Sequence, residues 1–478
     1  MKTDKKLANK QKRILAKIGE ADVAEIVASL EAAEAKLKEV KEITCEPPTP
    51  RSNFSICAHP EKEELIIYGG EFYNGKNVSV YNDLFFYNIL KNEWKLVKSP
   101  AGPAPRSGHQ MVSVATDKGQ LWLFGGEHAS PSQLQFYHYK DLWMLSLVTK
   151  KWEKINAPNG PSPRSGHRMV AAKKKLIIFG GFHDNNHSYR YFNDVHMFSI
   201  ESYSWLQIDV VGAIVPPPRS ACCIAARPDG GILVWGGYSK TPVKKDFDRG
   251  TTHTDMFALV PDTSNPSGKF KWNTVKPGGV RPLPRSSVGC AVAPNGKAYC
   301  FGGVMDVEED EENLLGQFGD ELNSLDLSST TWRPIQKKEQ KSKDAKVADV
   351  EMDEAKPAAS VTTDGIFTVT VGAAVAGSSL KSTSCYKSKL KASPSPRMNA
   401  GLCVCKGNLY LFGGIFEEDD KQYTFNDFYS LDLHKLDEWK TIISNSRNSH
   451  EWIDSGSESS SDSENGESES DSSSESEM

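Results

Sequence analysis

Six Gly-Gly pairs, each closing a short apolar run, set the strongest constraint on what this chain can fold into. They begin at Gly69, Gly125, Gly180, Gly236, Gly302 and Gly413, in the contexts IIYGG, LWLFGG, LIIFGG, ILVWGG, AYCFGG and LYLFGG. The first four gaps are 56, 55, 56 and 66 residues and the last is 111. A period near 50 marks a repeat architecture, in which each unit buries its apolar faces only against its neighbours.

Other landmarks recur in phase with the glycines. A Pro-Arg step precedes each pair, at Arg51, Arg106, Arg164, Arg219, Arg285 and Arg397. Two apolar runs follow it, joined by turn formers such as Asp229-Gly230-Gly231, Asn295-Gly296 and Lys406-Gly407-Asn408, the pattern of a tight β-hairpin. An acidic residue then heads a third run, at Asp83, Asp141, Asp194 and Asp427, where it is expected to cap turn donors. Trp94, Trp152, Trp205, Trp272, Trp332 and Trp439 mark a fourth strand. Four strands per unit, six times over, predict an all-β, six-bladed propeller with a central channel. Within each pair, Gly69-Gly70, Gly125-Gly126, Gly180-Gly181, Gly236-Gly237, Gly302-Gly303 and Gly413-Gly414 admit positive φ or close backbone approach. Each Trp offers a large apolar surface between blades.

Taken in order, Pro-Arg, Gly-Gly, the acid before the third strand and the following Trp resemble the kelch repeat over residues 46 to 443. The expected organisation is a basic N-terminal helix at 1–44, kelch blades 1–5 at 45–335, a charged and mostly disordered insertion at 336–395, blade 6 at 396–443 and an acidic, Ser-rich, disordered tail at 444–478. A seventh blade in the long gap is rejected, because the extra stretch before Pro396 holds no Gly-Gly, no Trp and no Pro-Arg. Its 336–360 portion, rich in Lys, Asp, Glu and Ala, cannot bury enough apolar surface to fold. GIFTVTV at 365–371 stands apart as a candidate extra strand.

The segments outside the ring carry charge. The N-terminal stretch places Val23, Ile26, Val27, Leu30, Leu37 and Val40 at roughly helical spacing. A helix packed on the ring is one reading and a short coiled-coil contact the other. Lys2, Lys5, Lys6, Lys10, Lys12, Arg13 and Lys17 leave nucleic-acid contact or targeting open to this end. Residues 454–478 carry nine acids and no base, so the net charge of −5 leaves +4 for everything else. A body so close to neutral points away from nucleic acid and from membranes as partners of the ring. Ser455, Ser459, Ser461, Ser468, Ser472 and Ser474 each have an acid three positions later, resembling the preference of casein-kinase-type enzymes. The acidic run at 307–312 is read as a solvated loop or as a contact for a basic partner.

No apolar run reaches membrane-spanning length and the start is not a signal-peptide core, so an intracellular protein of cytoplasm or nucleus is expected. The nine cysteines lack disulfide or zinc-finger spacing, which fits a reducing compartment. Neither a cofactor nor enzyme activity is expected. P-loop, Rossmann, HExxH and GxSxG motifs are missing, and no residue set matches the copper centre of galactose oxidase or the triplet of nitrile-specifier proteins. His183 and His187, four apart in an Asn-rich stretch, are read as a surface pair, and the in-phase His109 and His167 as architectural.

The kelch resemblance implies a protein-interaction scaffold or adaptor, with the post-glycine and Pro-Arg loops gathered on one face. Phe72, Tyr73, His128, His183, Tyr238 and Phe416 are its candidate contacts. The six arginines either ring the same face to attract acidic peptides or bond strand ends within the fold. An assembly factor of ribonucleoproteins, using the basic start and acidic tail, is the alternative. The first 44 residues are too short for the BTB or F-box domains that tie many kelch rings to ubiquitin ligases.

Overall fold

The structure is a computed structural model that describes residues 13–15, 17–36, 39–185, 188–244, 247–262, 269–308, 314–335, 393–418 and 421–444. Residues 1–336 and 392–478 form one compact unit and 337–391 a second; all described residues belong to the first. The expected strand at 365–371, the tail serines and His187 lie outside the described residues.

In blade 1, α1 (Val23–Glu34) and β1 (Lys41–Cys45) precede the strands β2 (Ser55–Ala58), β3 (Glu64–Tyr68), β4 (Glu71–Tyr73), β5 (Val78–Val80), β6 (Leu84–Asn88) and β7 (Glu93–Lys98). The sheet order is β1-β7-β6-β3-β2, antiparallel throughout. Five more four-stranded meanders repeat the β2-β3-β6-β7 pattern, with innermost strands Gln110–Val114, Arg168–Ala172, Cys223–Ala226, Gly289–Val292 and Gly401–Cys405. Neighbouring inner strands touch all the way round, Gly401–Cys405 against β2 included, so the ring closes after six blades. Second strands such as Leu65 to Tyr68 and Leu121 to Phe124 are buried on both faces because a blade lies on each side.

The four strands per blade that the sequence predicts are present, and three blades carry a fifth at the outer edge: β1 in blade 1, Val210–Val211 in blade 4 and Gly278–Gly279 in blade 5. Between the second and third strands every blade raises a two-stranded hairpin, as β4-β5 does, also at Glu127–Ala129 with Phe136–His138, Phe182–Asp184 with Tyr189–Tyr191, Tyr238–Lys244 with Phe247–Thr252, Val304–Glu308 with Leu314–Phe318, and Ile415–Glu418 with Lys421–Thr424. In their described residues, the segments expected to be loops are thus paired strands that stand together on one face.

Each marker tryptophan packs on the aromatic that ends the second strand of the preceding blade. The pairs are Tyr68–Trp152, Phe124–Trp205, Phe179–Trp272, Trp235–Trp332, Phe301–Trp439 and, across the closing seam, Phe412–Trp94, with ring centroids 5.3 to 6.2 Å apart. Aromatic pairs at such distances add to the burial of their area. Among the described residues no strand is exchanged at the closure: the blade 6 sheet is Gly401–Cys405, Asn408–Phe412, Phe428–Asp432 and Trp439–Ile443.

Backbone approach explains the glycines. At Gly125, φ is +64° and an added methyl would lie 2.7 Å from the Arg164 carbonyl oxygen. Gly236 has φ +66°, but there the Arg285 oxygen stands 3.6 Å away. Gly125→Ala is therefore expected to cost about 2–4 kcal/mol, joining left-handed strain to a backbone clash. Gly236→Ala should cost only the strain, about 1–2 kcal/mol. Urea unfolding of both variants checks the ordering.

Asp22 caps α1 by accepting from the Ala24 N–H. Its apolar side turns inward, with Val27 buried against Ala104 and Tyr139. Glu20 accepts from Ser132 and Gln135, and Gln135 accepts from the Val23 N–H, tying the helix start to blade 2. The helix thus spends its apolar face on the ring.

Candidate interaction site on the hairpin face

The site is built outward from the Pro-Arg steps. Each of Arg51, Arg106, Arg164, Arg219 and Arg397 is held from two blades at once. Its backbone belongs to the seam with the preceding blade: the Arg106 N–H donates to the Tyr81 oxygen, and the Gly70 N–H donates to the Arg106 oxygen at 3.0 Å. Its side chain belongs to its own blade, donating to the first glycine's carbonyl, as Arg106 does to Gly125, and to the acid that heads the third strand. The acidic partners are Asp83, Asp141, Asp194, Asp255, Glu321 and Asp427 for Arg51, Arg106, Arg164, Arg219, Arg285 and Arg397 respectively. Most of these guanidiniums also lie over the aromatic that ends the hairpin, as Arg106 lies over Tyr139 at 3.8 Å and Arg397 over Phe425 at 4.2 Å.

These contacts correct two expectations. The acids pair with arginine and do not act as simple turn caps. Arg51, Arg106, Arg164, Arg219 and Arg397 are fully buried with their donors spent on the fold, so they offer no open ring to an acidic peptide. Desolvating a cation demands such a partner. Among the six pairs, Arg285–Glu321 is the most open, with half of the Glu321 side chain exposed.

The residue after each arginine bridges the residue after each Gly-Gly: Ser52 to Glu71, Ser107 to Glu127, Ser165 to Phe182, Ser220 to Tyr238, Ser286 to Val304 and Met398 to Ile415. These bridges set the hairpins around the mouth of a central channel of about 830 Å³, whose wall includes Glu127, Phe182, Tyr191, Tyr238, Val304 and Asp306. Next inward come Asn53, Gly108, Gly166, Ala221, Ser287 and Asn399, all with φ between 50° and 62°. Their backbones bond neighbour to neighbour, Gly108 to Asn53, Gly166 to Gly108, Ala221 to Gly166 and Asn399 to Ser287.

The candidate contacts fall into two groups. Phe72, Tyr73, His183, Tyr238 and Phe416 are partly exposed on the hairpins. Phe416 meets Phe318 edge to face, His183 lies 4.6 Å from His138, and the Tyr189 hydroxyl donates to Asp248. His128 is buried and bonded to the Pro105 carbonyl oxygen, which removes it from the surface. Reading by sequence missed Tyr191, which joins Phe182 and Tyr238 in the channel wall, and Tyr189, whose ring lies 6.0 Å from that of Tyr191.

Acidic groups sit at the same mouth. Burial raises Glu71, which accepts from Asn53 and Ser107. Glu127, bonded to Ser165, is pushed up to about 8 by burial and then by the charge of Glu71. Arg168 is a cation in the channel wall, donating to the Cys222 and His167 carbonyls. His109 and His167 stay in the interior, where burial holds His109 down at about 3 and His167 well below its usual range. No helix of the described residues is long and apolar enough to cross a membrane.

A closed ring of six blades, each with its arginine–acid pair, double glycine and seam tryptophan, defines the kelch class of β-propeller. The chain belongs to the KLHDC2/KLHL20/DRC7 Kelch-repeats domain family, which it matches over residues 20–237 and again over 166–352. Among individual proteins it is 26% identical over 312 residues to Host cell factor 1 of Homo sapiens, which covers 60% of this chain and 14% of that protein. Host cell factor of Drosophila melanogaster is 25% identical over the same length, 19% of it covered. For Host cell factor 2 of Homo sapiens the identity is 26% and the covered share 36%. The chain therefore spans well under half the length of these relatives.

Proposed function

We propose that the protein is a non-catalytic interaction scaffold that grips a segment of a partner protein on the hairpin face. The observation that carries this reading is the set of partly exposed aromatics, Phe182, Tyr191 and Tyr238, standing at the mouth of the 830 Å³ channel, with the Tyr189 ring 6.0 Å from that of Tyr191. Such side chains supply much contact area with little rotamer entropy to lose, the pattern of an interface hot spot. Asp306 in the same wall, with Glu417 close enough to feel its charge, adds acidic groups, which suits a partner segment with both aromatic or aliphatic and basic residues. The arginines, in this reading, shape the face without touching the partner.

Within the kelch proteins, HPEKEELIIYGGEFYNGKNVSVYNDL, FYHYKDLW, LIIFGGFH and WGGYSKTPVKKD resemble kelch domain-containing protein 4. That likeness supports a binding role in the cytoplasm or nucleus, with the tail serines as phosphorylation sites. The boundaries 1–44, 45–335, 336–395, 396–443 and 444–478 are proposed as the working domains, except that Lys41–Cys45 pairs with β7 and goes with blade 1.

Affinity purification with the full chain, with a chain lacking residues 1–20 and 445–478, and with Tyr238→Ala plus Phe182→Ala tests the reading. Partners should be retained by the truncated chain and weakened at least tenfold by the double substitution, as hot-spot losses of about 2 kcal/mol imply. Partners that are RNase-sensitive and vanish with the termini would instead assign binding to the charged ends.

A further inference from the structure

Five seams of the ring are sealed alike and one is open. The second-glycine N–H bonds the next arginine's carbonyl oxygen at Gly70–Arg106, Gly126–Arg164, Gly181–Arg219, Gly303–Arg397 and Gly414–Arg51, at 2.9 to 3.1 Å. Between blades 4 and 5 the Arg285 carbonyl has drawn back from the glycines. A methyl placed on Gly236 would lie 3.6 Å from it, against 2.6 Å between Gly69 and the Arg106 oxygen. The gap is a cavity of about 320 Å³ bordered by Trp235, Met256, Leu283, Asn323 and Trp332.

Three cysteines meet at this seam. Cys223 lies on the inner strand of blade 4, Cys290 on the inner strand of blade 5, and Cys300 directly opposite Cys290 on the next strand. Their sulfurs all lie within 4.8 Å of one another, with Cys290 and Cys300 3.9 Å apart. Among the described residues this is the one group of three His, Cys, Asp or Glu side chains so placed. Three thiolates around one ion at bonds of about 2.3 Å have sulfurs about 4.0 Å apart. The Cys290–Cys300 separation is therefore that of a closed trigonal site, and Cys223, within 4.8 Å of both, needs only a small shift to complete it. The cluster also has two approaches: Cys223 and Cys300 border the seam cavity, and Cys223 and Cys290 border the channel.

We propose that Cys223, Cys290 and Cys300 bind one soft, closed-shell metal ion, Cu(I) in preference to Zn(II), and that the ion staples blade 4 to blade 5. An all-sulfur set with three members suits Cu(I), whereas zinc is almost always four-coordinate in structural sites. Each metal–sulfur bond displaces a thiol proton to solvent, and no redox step is involved. Stapling at this seam supplies a cross-link where the glycine–arginine bond of the other seams is missing.

The test uses the reduced full chain titrated with Cu(I) in competition with bicinchoninate, and with Zn(II) in parallel. One equivalent of Cu(I) should bind, and Cys290→Ser should weaken it by at least the ~100-fold that loss of a mere outer-shell partner reaches. Cys403→Ser, on another seam, should leave affinity unchanged. X-ray absorption at the metal edge of the wild-type complex should count three sulfur neighbours, which keeps the question decidable if Cys290→Ser does not fold. Absence of stoichiometric binding, binding that Cys290→Ser leaves intact, or fewer than three sulfurs would overturn the site. Tighter binding of Zn(II) through the same three sulfurs would support the site and overturn the choice of ion.

Discussion

Arg397→Ala is expected to lower the free energy of unfolding by about 3–5 kcal/mol, the loss typical of breaking a buried ion pair from one side. Arg397 is completely buried, its partner Asp427 is 2% exposed, and the pair is bidentate. Removing the guanidinium strands the Asp427 carboxylate in a place where only the Tyr429 hydroxyl still donates to it among its side-chain partners. It also strips the Gly413 and Ser395 carbonyls of their donor. The same substitution at Arg285 is expected to cost about 1 kcal/mol or less, because Glu321 is half exposed and water can take over. Arg397→Met with Asp427→Leu should recover much of the loss, since an apolar pair leaves no unpaired charge. Urea unfolding of the three variants checks the order, and a loss at Arg285 equal to that at Arg397 would refute the account.

The second large effect is acid lability centred on His109. Burial, reinforced by the Arg106 charge, holds its folded-state value at about 3, below the ordinary 6.5. The folded chain therefore carries the ring neutral while the unfolded chain takes up a proton below pH 6.5. A depressed folded value makes the contribution present above pH 6.5 and lost as pH falls toward 3. Glu127 works in the opposite sense, because its raised value stabilises the folded state as pH falls from about 8. The clean measurement is thus the difference between wild type and His109→Leu. Between pH 6.5 and pH 4.5 that difference should shift by about 2 kcal/mol in favour of the variant. Parallel stability curves for the two proteins would show that His109 is not held neutral.

How much of this was legible in the sequence varies with the physics of each feature. Gly-Gly, Trp and Pro-Arg announce themselves because a ring repeats its seams, and every seam asks for the same residue types. The arginine–acid pairing was not read although both partners were in view, since they lie 30 to 36 residues apart and meet only when the second and third strands align. Glu321 escaped because its blade uses Glu where the others use Asp. The hairpins were taken for loops: three-residue strands such as Glu71–Tyr73 are too short to display alternation. Cys223 and Cys290 stand 67 residues apart on separate blades, so no spacing motif could join them.

Closure without strand exchange has a consequence for the chain's connectivity. The seam between blades 6 and 1 is made of the same parts as those inside the ring, Gly414 on Arg51 and Phe412 on Trp94. Blade 6 is therefore leashed to its neighbours by a long segment and clasped by them on both faces, without being sewn in by a borrowed strand. Cutting the backbone between 335 and 393 severs the leash and leaves both clasps in place. For such a ring the order of blades along the chain is a matter of bookkeeping, and the circle itself has no first or last member.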